Sequence, residues 1–96
     1  MKWRVTTRPE ADTDLREARD WYEQQRPGLG DEFLLSMADA LTRLEESPDQ
    51  FPLYYRGFHR LLTKRFPYKL FYRIEDDAVI VFRILHAAQD HRRRLR

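Results

Sequence analysis

Apolar and polar residues alternate from Lys2 to Thr7, with Trp3 and Val5 on one side, and this period of two predicts a short first strand. The period then lengthens. Ala11, Leu15, Ala18 and Tyr22 fall at helical spacing and predict one apolar stripe on a helix over 8–26. Thr7 stands three residues before Glu10, the spacing of a capping box, and Pro9 suits a first helical turn. Pro27-Gly28-Leu29-Gly30 reads as a helix break. Asp31 then caps a second helix whose stripe is Phe33, Leu34, Met37, Ala38, Leu41 and Leu44, closed by Pro48. The link is short enough that the two helices form an antiparallel hairpin.

Beyond Phe51-Pro52 the period returns to two. A strand is expected over 59–66, entered through Tyr54-Tyr55-Arg56-Gly57-Phe58. A second runs over 68–74 with Tyr68, Leu70, Tyr72 and Ile74 on one face and Lys69, Phe71 and Arg73 turned away. Glu75-Asp76-Asp77 makes a hairpin turn. A third covers 79–86, with Ile80, Phe82, Ile84 and His86 on one face and Val79, Val81, Arg83 and Leu85 on the other. The order β-α-α-β-β-β predicts an α+β domain: an antiparallel sheet with an N-terminal helical hairpin packed on one face. The first strand is expected at either edge of that sheet, antiparallel to its neighbour. With 96 residues the chain is one domain, 1–96, too small for a cofactor cleft between two lobes.

Charge changes this picture more than composition does. Residues 1–50 hold 7 Lys/Arg against 12 Asp/Glu, whereas 51–96 hold 11 against 4. The basic half either complements the acidic helices within the fold or faces an acidic partner, a nucleic acid or an acidic protein. There is no cysteine, which removes disulfides, Cys-ligated zinc and Cys nucleophiles. The N-terminus shows no apolar signal region and no run approaches a membrane span, so a cytoplasmic protein is expected. His59, His86 and His91 show no metal-binding spacing, the Gly28-Leu29-Gly30 cluster lacks the Lys-Ser/Thr of a phosphate loop, and Ser36 and Ser47 lie in helical context. No metal or cofactor is expected. The remaining chemistry lies in the basic strands. His86 with Arg60, Lys69, Arg73 and Arg83 offers a base and cations for RNA cleavage through the 2′-hydroxyl; alternatively His86 closes a strand and the arginines are solvated or paired.

The run over 60–90 resembles the RelE/ParE superfamily of bacterial type II toxins. Phe66-Pro67-Tyr68, then Phe71-Tyr72-Arg73-Ile74, then Val79 to His86 carry the likeness, and the helices with their Pro-Gly break extend it over nearly the whole chain. The resemblance implies the same β-α-α-β-β-β domain, a cognate antitoxin encoded alongside, and one of two targets. RelE-like members cleave mRNA on the ribosome, and ParE-like members poison DNA gyrase without a chemical conversion. Against the RelE-like pattern, Lys69 stands where an arginine is expected, Gln89 where a second arginine falls, and Leu95 where a tyrosine falls. Lys lacks the guanidinium fork, and Gln and Leu offer neither charge nor a titratable proton. These departures favour the ParE-like branch. The expected binding surface for target and antitoxin is Arg60, Lys69, Arg73, Arg83 and His86 with the tail Arg92-Arg93-Arg94. The alternative is an mRNA endonuclease using His86, Lys69 and Arg60, and the third reading is a non-toxic interaction module of the same fold.

Overall fold

The computed structural model describes residues 2–89 and 91–95, and of His91 and Arg92 the backbone alone. β1 (Arg4–Thr7) leads into α1 (Pro9–Gln25) and α2 (Leu29–Glu46). A 3₁₀ turn (Pro48–Gln50) precedes β2 (Leu53–Tyr55), β3 (Phe58–Leu62), β4 (Tyr68–Glu75) and β5 (Ala78–His86), and α3 (His91–Arg94) follows, with Leu95 the last described residue. The sheet order is β1-β5-β4-β3-β2. The fold is α+β, with both long helices on one face of the sheet.

The sheet is mixed, which corrects the expectation for the first strand. β2 to β5 are antiparallel, but β1 runs parallel to β5, with Val5 beside Val79 and Thr7 beside Val81. Tight hairpins impose antiparallel pairing, and β1 has no hairpin to any strand; it reaches β5 through the helices. Its ends are pinned by Trp3 N–H to the Glu45 carbonyl at 2.7 Å and Arg8 N–H to the Val81 carbonyl at 2.9 Å.

Two boundaries also differ. The segment read as an entry to the first C-terminal strand is itself β2 plus a turn: Arg56 and Gly57 both have positive φ, 50° and 79°, as a two-residue hairpin loop requires. β3 then stops at Leu62 instead of Phe66. The Thr63 hydroxyl donates to the Phe66 carbonyl and accepts the Tyr68 N–H, folding 63–67 into a corner between strands.

The helical hairpin is joined by a cap that the spacing did not reveal. Thr7 is still part of β1, so its hydroxyl bonds the Asp12 carboxylate at 2.6 Å and Arg8 takes the N-cap position without a side-chain bond. α2 begins at Leu29, two residues before Asp31, because Glu23 of α1 reaches across and accepts N–H groups from Gly28 and Gly30, each at 3.0 Å. That approach leaves no space beside Gly30: a Cβ there would lie 2.8 Å from Glu23 Oε1 and 2.9 Å from the Arg19 carbonyl. Ala11, Ala18, Phe33, Met37 and Leu44 pack from the helices onto Leu70, Tyr72, Val79, Val81 and Ile84 of the sheet. Tyr22, Phe33, Phe66 and Tyr68 stack at one end of this core, with ring centroids as close as 4.9 Å. Burial pushes the Tyr72 phenol's pKa up, and its hydroxyl donates to the Pro48 carbonyl at 2.5 Å.

Gly30→Ala should lower the unfolding free energy by about 1–3 kcal/mol in urea titration, because overpacking there meets backbone as well as side chain. The two backbone bonds to Glu23 hold its carboxyl below the usual carboxylate range. A lowered carboxylate stabilises fully above its ordinary value and loses that contribution as pH falls through the lowered one. Glu23→Ala should therefore melt below the parent at pH 7, with the gap closing towards pH 3; a gap independent of pH would sink the assignment.

Candidate functional site

The face of the sheet away from the helices has its own apolar cluster: Phe58, Phe71, Leu85 and Leu95 are buried there, with Tyr54, Tyr55 and Phe82 packed against them. Its position follows from an irregularity in β5. Phe71 pairs with Arg83 but Tyr72 pairs with Val81, so Phe82 is an extra residue. A bulge of one residue exchanges the faces of everything beyond it. The strict alternation read over 79–86 is thereby corrected. Val79, Val81 and Ile84 share the helix-side core, whereas Phe82 and Leu85 lie on the open face.

The bulge also sets the position of Arg83. β1 pairs with β5 only as far as Val81, and α1 runs beside the strand beyond that point. Asp14 of α1 accepts the Ile84 N–H at 3.0 Å and binds Arg83 through two bonds of 2.7 Å, from Nε and Nη2. Arg83 and Asp14 side chains are only 18% and 9% exposed. The hydrogen bonds to Asp14 raise the Arg83 guanidinium pKa further.

Arg83 thus joins Arg8, Arg73 and Arg94 around a cleft of about 310 Å³, which Glu10 and Leu95 also line. Phe58 and Phe82 form its floor. Arg73 lies over both rings, its guanidinium carbon 4.3 Å from the Phe58 centroid and 5.3 Å from that of Phe82, and Arg8 covers Phe82 at 4.9 Å. Arg73 Nη2 donates to the Arg56 carbonyl at 3.0 Å, and its Nε is buried without an acceptor against the turn at Gly57. The cleft's four guanidinium groups stand against the carboxylate of Glu10 and, behind Arg83 and Arg94, those of Asp14 and Glu17, so one positive charge is unbalanced.

The residues singled out in the sequence separate into four sets. Arg73, Arg83 and Arg94 meet in the cleft. Arg60 and Lys69 share the open face, paired with Phe71 and Leu85 respectively, but do not line the cleft, and Arg60 lies over Tyr54 at 4.4 Å. His86 stands on the helix side. It pairs with Tyr68, meets that ring edge-on at 5.3 Å, and accepts the Ala88 N–H on Nδ1 at 3.1 Å. The sheet therefore separates His86 from Lys69 and Arg60. Arg93 and Arg94 are exposed, and the side chain of Arg92 lies outside the described residues. The periodicity missed Arg8, Glu10, Phe58, Phe82 and Asp14. Arg8, at the end of β1 before Pro9, reaches the cleft only because β1 lies beside β5.

Arginines remain protonated at any ordinary pH, so the guanidinium groups of this cleft offer permanent positive charge and no proton to transfer. Among the described residues, no group of three or more His, Cys, Asp and Glu is placed to hold a metal ion. No helix among them is long and apolar enough to cross a membrane.

The family model described as the ParE toxin of the type II toxin–antitoxin system parDE matches residues 5–91. The chain belongs to the ParE toxin family. Solved structures share its fold. A chromosomal ParDE toxin–antitoxin system from P. aeruginosa aligns with a TM-score of 0.79 at 18% identity, covering 88% of this chain and 96% of that one. The toxin–antitoxin complex RelBE2 from Mycobacterium tuberculosis aligns with a TM-score of 0.63 at 23% identity, covering 90% and 99%. No curated protein matches. This ParE-family chain thus shares its fold with proteins of both assemblies.

Asp14→Asn should cost about 3 kcal/mol, since it leaves the Arg83 charge half-buried without its counter-charge. Urea unfolding would measure this, and a loss below about 0.5 kcal/mol, the scale of an exposed pair, would show that Asp14 is dispensable.

Proposed function

We propose that this ParE-family toxin is neutralised by a cognate antitoxin and acts in the cytoplasm by binding DNA gyrase, with no chemical conversion of its own. The observation that carries this reading is the separation of the candidate catalytic groups. An RNA-cleaving site needs its base and its cations around one phosphate. Here His86 lies on the helix side of the sheet, and Lys69 and Arg60 lie on the other. What the open face offers is an arginine cleft on an aromatic floor, a recognition surface for acidic groups. The antitoxin partner is supported by family membership and by the two similar structures, both described as toxin–antitoxin assemblies.

Induction without the antitoxin, followed by pulse labelling, should show DNA synthesis falling before protein synthesis. The purified protein should block supercoiling by gyrase, and His86→Ala should retain both effects. Protein synthesis falling first, with mRNA cut and cleavage lost in His86→Ala, would replace this reading with the endonuclease.

A further inference from the structure

We propose that a second copy of this chain docks on the outer face of α2, the two helices crossing antiparallel about a two-fold axis at Ala38. This surface belongs to the helical layer, on the other side of the sheet from the arginine cleft, and the proposal is independent of the target and antitoxin readings above. Leu35 is the most exposed large apolar side chain among the described residues, at 68%. Ala38 and Thr42, one and two turns further along the same face, are exposed as well, and the Thr42 hydroxyl already donates to the Ala38 carbonyl at 3.1 Å.

The same helix carries a hole for this knob. Between α2 and the edge of β1 runs a groove of about 480 Å³, lined by Val5, Ala38, Leu41 and Thr42 and ending at Glu45. Leu35 and Leu41 stand three residues before and three after Ala38, and Leu34 and Thr42 four before and four after. A two-fold axis through Ala38 therefore sets Leu35 of each copy against Leu41 of the other, inside that groove, and Leu34 against Thr42. Such self-complementarity is what an isologous interface requires. Ala38 is small, so the helices can approach closely where they cross.

Charge selects the same arrangement. Beside Leu34, Arg16 and Arg19 of α1 line a second groove of about 470 Å³. Asp12 shares its wall but is bonded to the Thr7 hydroxyl. Among the described residues Arg16 makes no ion pair, and Arg19 pairs only with its neighbour Asp20. Asp39 and Glu46 make none either, and helical spacing puts both on the flank of α2 away from Leu34. Antiparallel docking carries that acidic flank of one copy to the Arg16 and Arg19 flank of the other. Asp31 and Glu45 meet only at the ends of the contact, about 10 Å from Ala38, where crossing helices have separated.

The chain has no cysteine, so in single-cysteine variants a disulfide forms only between copies. Full-length Ala38→Cys should oxidise to a covalent dimer, because the axis brings the two substituted positions together. Leu62→Cys, 55% exposed on the opposite side of the sheet, should not. In sedimentation equilibrium the unsubstituted protein should dimerise reversibly. Leu35→Lys should weaken that dimer about tenfold or more while melting as the parent does, since Leu35 is exposed. Arg16→Asp and Asp39→Arg should each weaken it and the double variant restore it, a rescue that lost folding cannot mimic. A protein that stays monomeric at every concentration, with Ala38→Cys cross-linking no faster than Leu62→Cys, would overturn the proposal. So would a dimer that Leu35→Lys leaves within about twofold of the parent. If the toxin alone is monomeric and the thiol of Ala38→Cys is shielded from maleimide only in the antitoxin complex, the face serves another protein and the proposal is wrong.

Discussion

Asp14 closes the stretch of β5 that β1 does not reach. A strand that outruns its neighbour leaves backbone groups facing helix or solvent, and a buried orphan N–H costs about 1–3 kcal/mol. One carboxylate meets that need at Ile84 and holds the Nε–Nη2 edge of Arg83 as well. The same contact fixes α1 against the sheet and determines which way the guanidinium points. The arginine cleft thus depends on a contact made by a residue outside its lining. The paired charges are tolerated at this depth because each is hydrogen-bonded twice over, the condition under which a partly buried ion pair holds.

The helices and the inner sheet face were legible because their physics is periodic. Ala11, Leu15, Ala18 and Tyr22 all face the core, as do Tyr68, Leu70, Tyr72 and Ile74. What the sequence concealed was aperiodic. The Phe82 bulge leaves no signature in a run of apolar residues, yet it turns Leu85 to the opposite face from Val79 and Val81. The β2–β3 hairpin turns on Arg56-Gly57, where Arg56 takes a positive φ that usually falls to Asn or Asp, so the turn did not announce itself. The α2 cap comes from Glu23 seven residues before Gly30, beyond the reach of any local capping rule. β1 pairs with residues more than seventy positions away, and no local pattern encodes direction at that distance.

The candidate site was half legible for the same reason. A count of charge located a basic C-terminal half, and Arg73, Arg83 and Arg94 do converge. Charge counting could not say that Arg83 is already neutralised by α1, that Arg8 would arrive from the first strand, or that His86 would face away. Those facts belong to register and crossover. The aromatic floor carries a similar lesson. Phe58 and Phe82 would pass for core residues in any hydropathy profile, yet their rings orient the guanidinium groups above them.

The parallel pairing of β1 with β5 has a consequence for how the molecule is made. The strand synthesised first waits for the one synthesised last, since Arg4 pairs with Ala78. Pairings so distant in the chain form slowly, because the loop must close before the contact rewards it. The helical hairpin is local and can assemble on the nascent chain, whereas β1 stays unpartnered until β5 emerges. A chain interrupted before residue 73 holds Arg8 and none of the other three cleft arginines. The site therefore comes into being only once Arg94 and Leu95 have been added, so shorter translation products carry the hairpin without the whole cleft.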